Sequence, residues 1–301
     1  MELSDLVRQV LPVHRLGESI TMDAARASAP GAFVELPCGR CHYVQRGEQG
    51  PVVLLLHGFL YHGMMWDDVI GPLSEHARCY VLDLMGWGYS SRNEAIDYDY
   101  ALYARQVLEF MDALGIERAS LVGQSMGGGT AIRFAVEHRD RVERLVLVDP
   151  ASLPNPLALT GRVFALPGVG EVVMGLGGDR VTAENLKQLW FHDPAHVTPA
   201  YVARVTAPLK IQGSTWTVLN ILRRLDFGSQ SEHVKLLART DVPILLVWGR
   251  EDRAVPFAVG LTMREMLPKA TFVVIPHAGH TPHEEDPATF LAAAVPFLLG
   301  A

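Results

Sequence analysis

Short apolar runs alternate along the chain with longer amphipathic stretches. "VVLLLHG" (52–58) is apolar through its first five residues, the pattern of a strand buried on both faces. "CYVLDL" (79–84), "ASLVGQ" (119–124), "RLVLVD" (144–149), "PILLVWG" (243–249) and "TFVVIP" (271–276) share that character. Between them, "YDYALYARQVLEFMDALG" (98–115) and "MGGGTAIRFAVEHR" (126–139) have helical spacing, and "DPATFLAAAVPFLL" (286–299) predicts a final helix. "FVEL" and "CHYVQ" flank a Pro/Gly turn and predict an opening hairpin. This rhythm predicts an α/β fold, a mostly parallel central sheet covered by helices.

The rhythm stops after Asp149 and resumes near Asp241. The intervening stretch holds a turn region with Pro154 and Pro156, then the Gly-rich "GVGEVVMGLGGDR", then helix-like pieces ending in "TWTVLNILRRL". It is too long for a loop within a compact domain. A core formed by residues 1–150 and 241–301, with 151–240 inserted as a helical cap, is the expected organisation.

Composition narrows the partners. The 301 residues are 49% hydrophobic and carry a net charge of -7, which disfavours nucleic acid and anionic lipid surfaces. No stretch reaches the apolar length of a membrane span. The N-terminus lacks a basic n-region and a long apolar segment, so no signal peptide is read there. Its "LSDLVRQVL" aligns Leu3, Leu6, Val7, Val10 and Leu11 on one face and predicts a short docked helix. Three cysteines fit a reducing compartment, and a cytoplasmic location is expected. "PCGRCHY" places Cys38, Cys41 and His42 in the C-x-x-C-H spacing of haem attachment. Its position in the hairpin turn, and the lack of an export signal, give it a turn role instead. A reversible Cys38–Cys41 disulfide stays open.

The chemistry concentrates elsewhere. "LVGQSMGGG" contains G-x-S-x-G directly after a strand and before a helix, with Ser125 at its centre. Such a turn exposes a serine beside the free N–H groups of a helix start. A hydroxyl needs a base. "HAGHTPHEEDP", after the last predicted strand, offers His277, His280 and His283 at the carboxyl edge of the sheet. The Gly and Pro residues among them break the single face that a metal site would need, so neither metal nor cofactor is expected. Glu251 and Asp252 follow one strand and Asp149 another, so each is a candidate to orient the histidine. The N–H groups of Met126 and Phe59 are the expected oxyanion donors.

These residues resemble the α/β-hydrolases with a helical cap. Beside "HGF" and "GQSMGG", "DLMGWGYS" matches D-x-x-G-x-G-x-S, "GREDRAVP" matches G-x-x-D-x-x-x-P, and "GHTPHEEDP" matches G-H-x-P-x-x-E-x-P. The resemblance implies Asp252 as the acid and His280 as the base, with Asp83 structural and Asp149 structural in many members. A serine nucleophile separates the chain from similar epoxide hydrolases and haloalkane dehalogenases, which use aspartate, and from dienelactone hydrolase, which uses cysteine. Prolyl iminopeptidases carry an H-G-G-P-G loop that is missing here. C–C bond hydrolases share the serine triad, cap and S-M-G-G, but typically have asparagine where Gln124 stands and tryptophan where Thr281 stands. Cofactor-free perhydrolases share "SMGGG" with a shorter lid.

Leu60, Met65, Trp66, Trp190 and Trp216 are the expected pocket residues, and cap residues such as Phe164, Val173 and Met174 add apolar surface. The expectation is a carboxylesterase or monoacylglycerol-lipase-like enzyme acting on a small-molecule ester. C–C hydrolysis of a meta-cleavage product and perhydrolysis are the alternatives. Some members of this fold instead act as ligand receptors.

Overall fold

The computed structural model describes residues 17–155 and 159–300. The expected N-terminal helix and Pro156 lie outside these residues. Eight strands form one sheet: β1 (Ala32–Leu36), β2 (Gly39–Arg46), β3 (Val52–Leu56), β4 (Arg78–Leu82), β5 (Ala119–Gln124), β6 (Val142–Val148), β7 (Ile244–Gly249) and β8 (Thr271–Ile275). Their order is β1-β2-β4-β3-β5-β6-β7-β8. The β1–β2 hairpin is antiparallel, as is β2 against β4, and every other neighbour pair is parallel.

Alternating side chains of β3 enter opposite cores, as a strand covered on both faces requires. Leu54 and Leu56 pack with Phe110, Met111 and Phe134, whereas Val53 and Leu55 pack with Val69, Ile70 and Phe290. The helices that supply these partners are α1 (Asp67–Ser74) and α4 (Pro287–Leu299) on one face, and α2 (Tyr100–Ala113) and α3 (Met126–Glu137) on the other. Fully burying one such side chain stabilises by about 1.5–3 kcal/mol, so the paired cores dominate the energetics of the sheet.

The parallel strands end together. Leu56 is paired with Gly123, Gln124 with Val148, Val148 with Val247, and Gly249 with Ile275. The loops after β3, β5, β6, β7 and β8 therefore leave from one edge. The chain also reverses direction across the sheet at β3, between β4 and β5. Ligands collect outside the carboxyl ends of strands at such a switch point.

The "DLMGWGYS" stretch locks the loop that follows β3. Predicted as strand to residue 84, β4 stops at Leu82 because the Asp83 side chain takes up turn bonds instead. It accepts from the N–H groups of Gly63 (2.8 Å) and Tyr89 (2.9 Å). Gly88, at φ 52°, leaves no room for a Cβ beside that carboxylate. His42 faces Asp83 through Nδ1 at 2.7 Å and the Pro30 carbonyl through Nε2. Both partners are acceptors, so the ring carries two protons and a charge. The histidine of "PCGRCHY" is thus one half of a buried ion pair. Cys38, Cys41 and Cys79 are free thiols, and burial pushes Cys41 up to about 12.

Residues 159–240 form a series of helices joined by short loops, the longest spanning Val169–Asn185 with a break at Gly178 (φ 45°). A π turn, Leu186–Trp190, follows it. Glu18 accepts from the N–H groups of Gly213 (3.0 Å) and Thr215 (2.8 Å), tying the start of the described chain to the Ser214–Arg224 helix. The last helix of the stretch, Ser231–Leu237, packs on α3 and contributes Val234 and Leu237 to the main core. Among the described residues, no helix is long and apolar enough to cross a membrane.

Candidate active site

Ser125 sits between β5 and α3 with φ 50° and ψ -115°. A non-glycine residue held there stores about 1–3 kcal/mol, so its surroundings must enforce it. Its N–H donates to Val148 (2.9 Å), and its carbonyl accepts from Gly129 (3.0 Å) and Ala151 (2.9 Å). A Cβ at Gly123 would collide with the backbone of Gly127, and one at Gly127 with the backbone of Leu56 and His57. The glycines two positions either side are therefore required by close backbone approach.

His280, 2% exposed, presents Nδ1 to Asp252 Oδ2 at 2.7 Å. Asp252 Oδ1 accepts the N–H groups of Ala254 (2.7 Å) and Val255 (2.9 Å). The carboxylate fixes the Nδ1–H tautomer and leaves an Nε2 lone pair for a second partner. Two hydrogen bonds locate the His280 backbone, and a ring contact locates its imidazole. Its N–H donates to the Trp190 carbonyl (2.6 Å), and its carbonyl accepts from Gln124 Nε2 (2.7 Å). The Trp190 ring meets the imidazole edge-on at 5.3 Å. Glu285 accepts from Gly279 (2.5 Å), His192 (2.7 Å) and Asp193 (3.1 Å), stapling the segment after the π turn to the His280 loop.

The loop after β3 is pinned by His57. Leu84 N–H donates to Nε2 (2.9 Å), so Nδ1–H donates to the Gly58 carbonyl (2.8 Å). Burial holds this imidazole down at about 4, and it stays neutral. Gly58 lies against the Gln124 side chain and Ser125 Cβ, which brings Phe59 to the serine turn.

Ser125 and His280 line one cavity of about 650 Å³. Phe59, Leu60, Met174, Leu189, Trp190 and Phe227 are among its walls. Of the described lining residues, Lys210 is the one lysine or arginine, and its ammonium lies 3.4 Å from Asp179. The arrangement places a serine on a strained turn and a histidine paired with a carboxylate on the wall of one largely apolar cavity.

Residues 53–294 match the profile of the Alpha/beta hydrolase family. The chain belongs to this family. A 2-hydroxy-6-oxo-6-phenylhexa-2,4-dienoate hydrolase of Comamonas testosteroni is 31% identical over 278 residues, 85% of this chain and 90% of its own. A pimeloyl-acyl-carrier-protein methyl ester esterase of Nitrosomonas europaea is 30% identical over 254 residues, 83% of this chain and 96% of its own. A solved meta-cleavage product hydrolase from Pseudomonas fluorescens superposes with a TM-score of 0.76 at 27% identity, covering 89% of this chain and 97% of that one.

Within this α/β-hydrolase, the expected pocket residues divide. Leu60 and Trp190 line the cavity, whereas Met65, Trp66 and Trp216 are not among its described lining residues. Met65 and Trp66 belong to the 3₁₀ turn Gly63–Trp66, which turns them into the core beneath the sheet, where Trp66 packs against His283 with ring centroids 4.4 Å apart. Trp216 packs edge-on against Tyr98 at 6.0 Å. The three histidines of the H-x-x-H-x-x-H series diverge. His277 is exposed and 6.1 Å from the ring of His192, His280 meets Asp252, and His283 is buried and held down at about 3 by that burial.

Sequence reasoning missed Glu285, although it is the glutamate of the terminal motif. It also missed the buried chain in which Tyr201 donates to Glu284 (2.8 Å) and meets Tyr61 OH at 2.9 Å. Nothing in "HEED" distinguishes a carboxyl that staples backbone from one that faces solvent.

Proposed function

We propose that this hydrolase cleaves carboxylic esters with a hydrophobic acyl group through a serine acyl-enzyme. One arrangement carries the reading: Ser125 on its strained turn and His280, bound to Asp252, open onto the same largely apolar cavity. Ser125 attacks the acyl carbon as His280 Nε2 takes its proton, and Asp252 stabilises the imidazolium. The N–H groups of Met126 and Phe59 hold the oxyanion, each worth about 3–4 kcal/mol in the transition state. His280 then protonates the departing alcohol. A water deprotonated by His280 attacks the acyl-enzyme and releases the acid. Residues 151–240 act as the cap, with the Ser231–Leu237 helix seated on the core.

C–C hydrolysis of a meta-cleavage product is the second reading, favoured by the relatives named for it. Such a dienoate brings a carboxylate. The Lys210 ammonium that lines the cavity is already matched by Asp179, which favours an uncharged substrate.

A p-nitrophenyl ester series from acetate to palmitate, run beside one coloured ring-cleavage dienoate, separates the two. Ester turnover above dienoate bleaching is expected, and the reverse order moves the assignment to C–C cleavage. Ser125→Ala is expected to abolish turnover and fluorophosphonate labelling. Labelling that survives removes Ser125 as nucleophile.

A further inference from the structure

Asp149 has no part in the mechanism above, yet it is fully buried at the centre of the site. It follows β6 with φ 42°, in the left-handed region that few residues other than glycine, asparagine and aspartate adopt. Its N–H donates to Val247 (3.0 Å), and its Oδ1 accepts from Gly249 N–H (2.9 Å). Its Oδ2 is buried with no hydrogen-bond partner. Carboxyl oxygens of Asp149 and Asp252 and a ring nitrogen of His280 all lie within 4.8 Å of one another.

Two buried carboxyls this close do not both ionise. Asp252 has three donors, two backbone N–H groups and His280, and is the one stabilised as an anion. Asp149 has one. Burial, and then the charge of Asp252, push its carboxyl well above the usual range. A proton on Asp149 would lie on the otherwise unpartnered Oδ2, with Asp252 within reach.

We propose that Asp149 is a positioning residue that donates a hydrogen bond from Oδ2 to the Asp252 carboxylate, and that this bond limits how strongly Asp252 attracts the His280 proton. The idea rests on the His280–Asp252 assignment above. An acceptor that already receives a hydrogen bond is a weaker base, so the Asp149 proton weakens the pull of Asp252 on the Nδ1 proton. The other titratable groups acting here are Glu285, whose charge reaches Asp149, and His283, which is close enough to His280 for their charges to interact. Both remain in the variants below.

Asp149→Asn retains an acceptor for Gly249 and a donor for Asp252. An infrared difference spectrum, wild type minus Asp149→Asn at neutral pH, should contain a protonated-carboxyl C=O stretch. Carboxylate bands in its place would overturn the proposal. In kcat/KM against pH for an ester, Asp149→Asn should keep the wild-type acid limb, and folded Asp149→Ala should move it to higher pH by about half a unit or more. An unmoved limb in folded Asp149→Ala also overturns the proposal. If that variant does not fold, the infrared comparison decides. The infrared band needs no turnover, so it stands apart from failure of the ester assignment, which Ser125→Ala reads.

Discussion

Replacing Asp252 by asparagine should disable His280 without disturbing its position. Asp252 Oδ1 receives two backbone N–H groups, from Ala254 at 2.7 Å and Val255 at 2.9 Å, while Oδ2 faces Nδ1 of His280 at 2.7 Å. An asparagine must keep its oxygen toward the two N–H donors, since its NH2 there would set donor against donor. The NH2 group then faces Nδ1 and forces that nitrogen to accept. The ring proton moves to Nε2, the nitrogen that should take the Ser125 proton. The same tautomer error in an Asp-His-Ser relay costs about ten-thousand-fold in kcat, about 5.5 kcal/mol. Steady-state ester hydrolysis and the rate of fluorophosphonate labelling should fall together, while the melting temperature changes little. Activity within tenfold of wild type in the folded variant would refute the reasoning, because His280 would then be oriented by something other than Asp252.

Three further outcomes are expected. His42→Leu leaves Asp83 buried without its cation and should cost about 3–5 kcal/mol in urea unfolding. Burial opposes the charged His42 ring, but Asp83 more than offsets it and raises its pKa. Its stabilisation is therefore full below about pH 6.5 and fades as pH rises through the folded value, an alkaline decline that His42→Leu should lose. Asp83 is depressed despite its burial, chiefly by His42, so its contribution is present above about pH 4 and disappears only as pH falls through a strongly acidic folded value. Trp190→Ala removes cavity wall and the ring against His280 while keeping the carbonyl that holds it, so kcat/KM for decanoate should fall more than for acetate, by about tenfold. Lys210→Ala should leave neutral-ester turnover within about threefold, since rim ion pairs contribute little, whereas a carboxylate-bearing substrate recognised by Lys210 would lose far more.

The sheet was legible because its central strands are covered on both faces. Continuous apolar runs such as "VVLLL" and "ILLVWG" have few other uses in a chain of this size. Boundaries missed where a polar side chain ended a strand, as Asp83 does by collecting turn N–H groups. Ser125 was legible through its glycines, since Gly123 and Gly127 meet backbone that tolerates no Cβ. The pocket was less so. Met65 and Trp66 lie close in sequence to Phe59, but one 3₁₀ turn sends them to the opposite side of the sheet. Apolar identity does not encode that choice of face. Gln124 and Glu285 were opaque for a related reason: each acts on backbone groups distant in sequence, His280 for one and His192 for the other.

The staple between the π turn and the His280 loop limits how this enzyme can be re-engineered. A helical segment transplanted from another hydrolase in place of this one would have to deliver a carbonyl to His280 N–H and two amide hydrogens to Glu285, whatever side chains it carried. A graft that kept residues 186–193 and replaced only the helices before them would change the binding volume while leaving the histidine seated. One that cut through the π turn would exchange specificity and catalytic competence together.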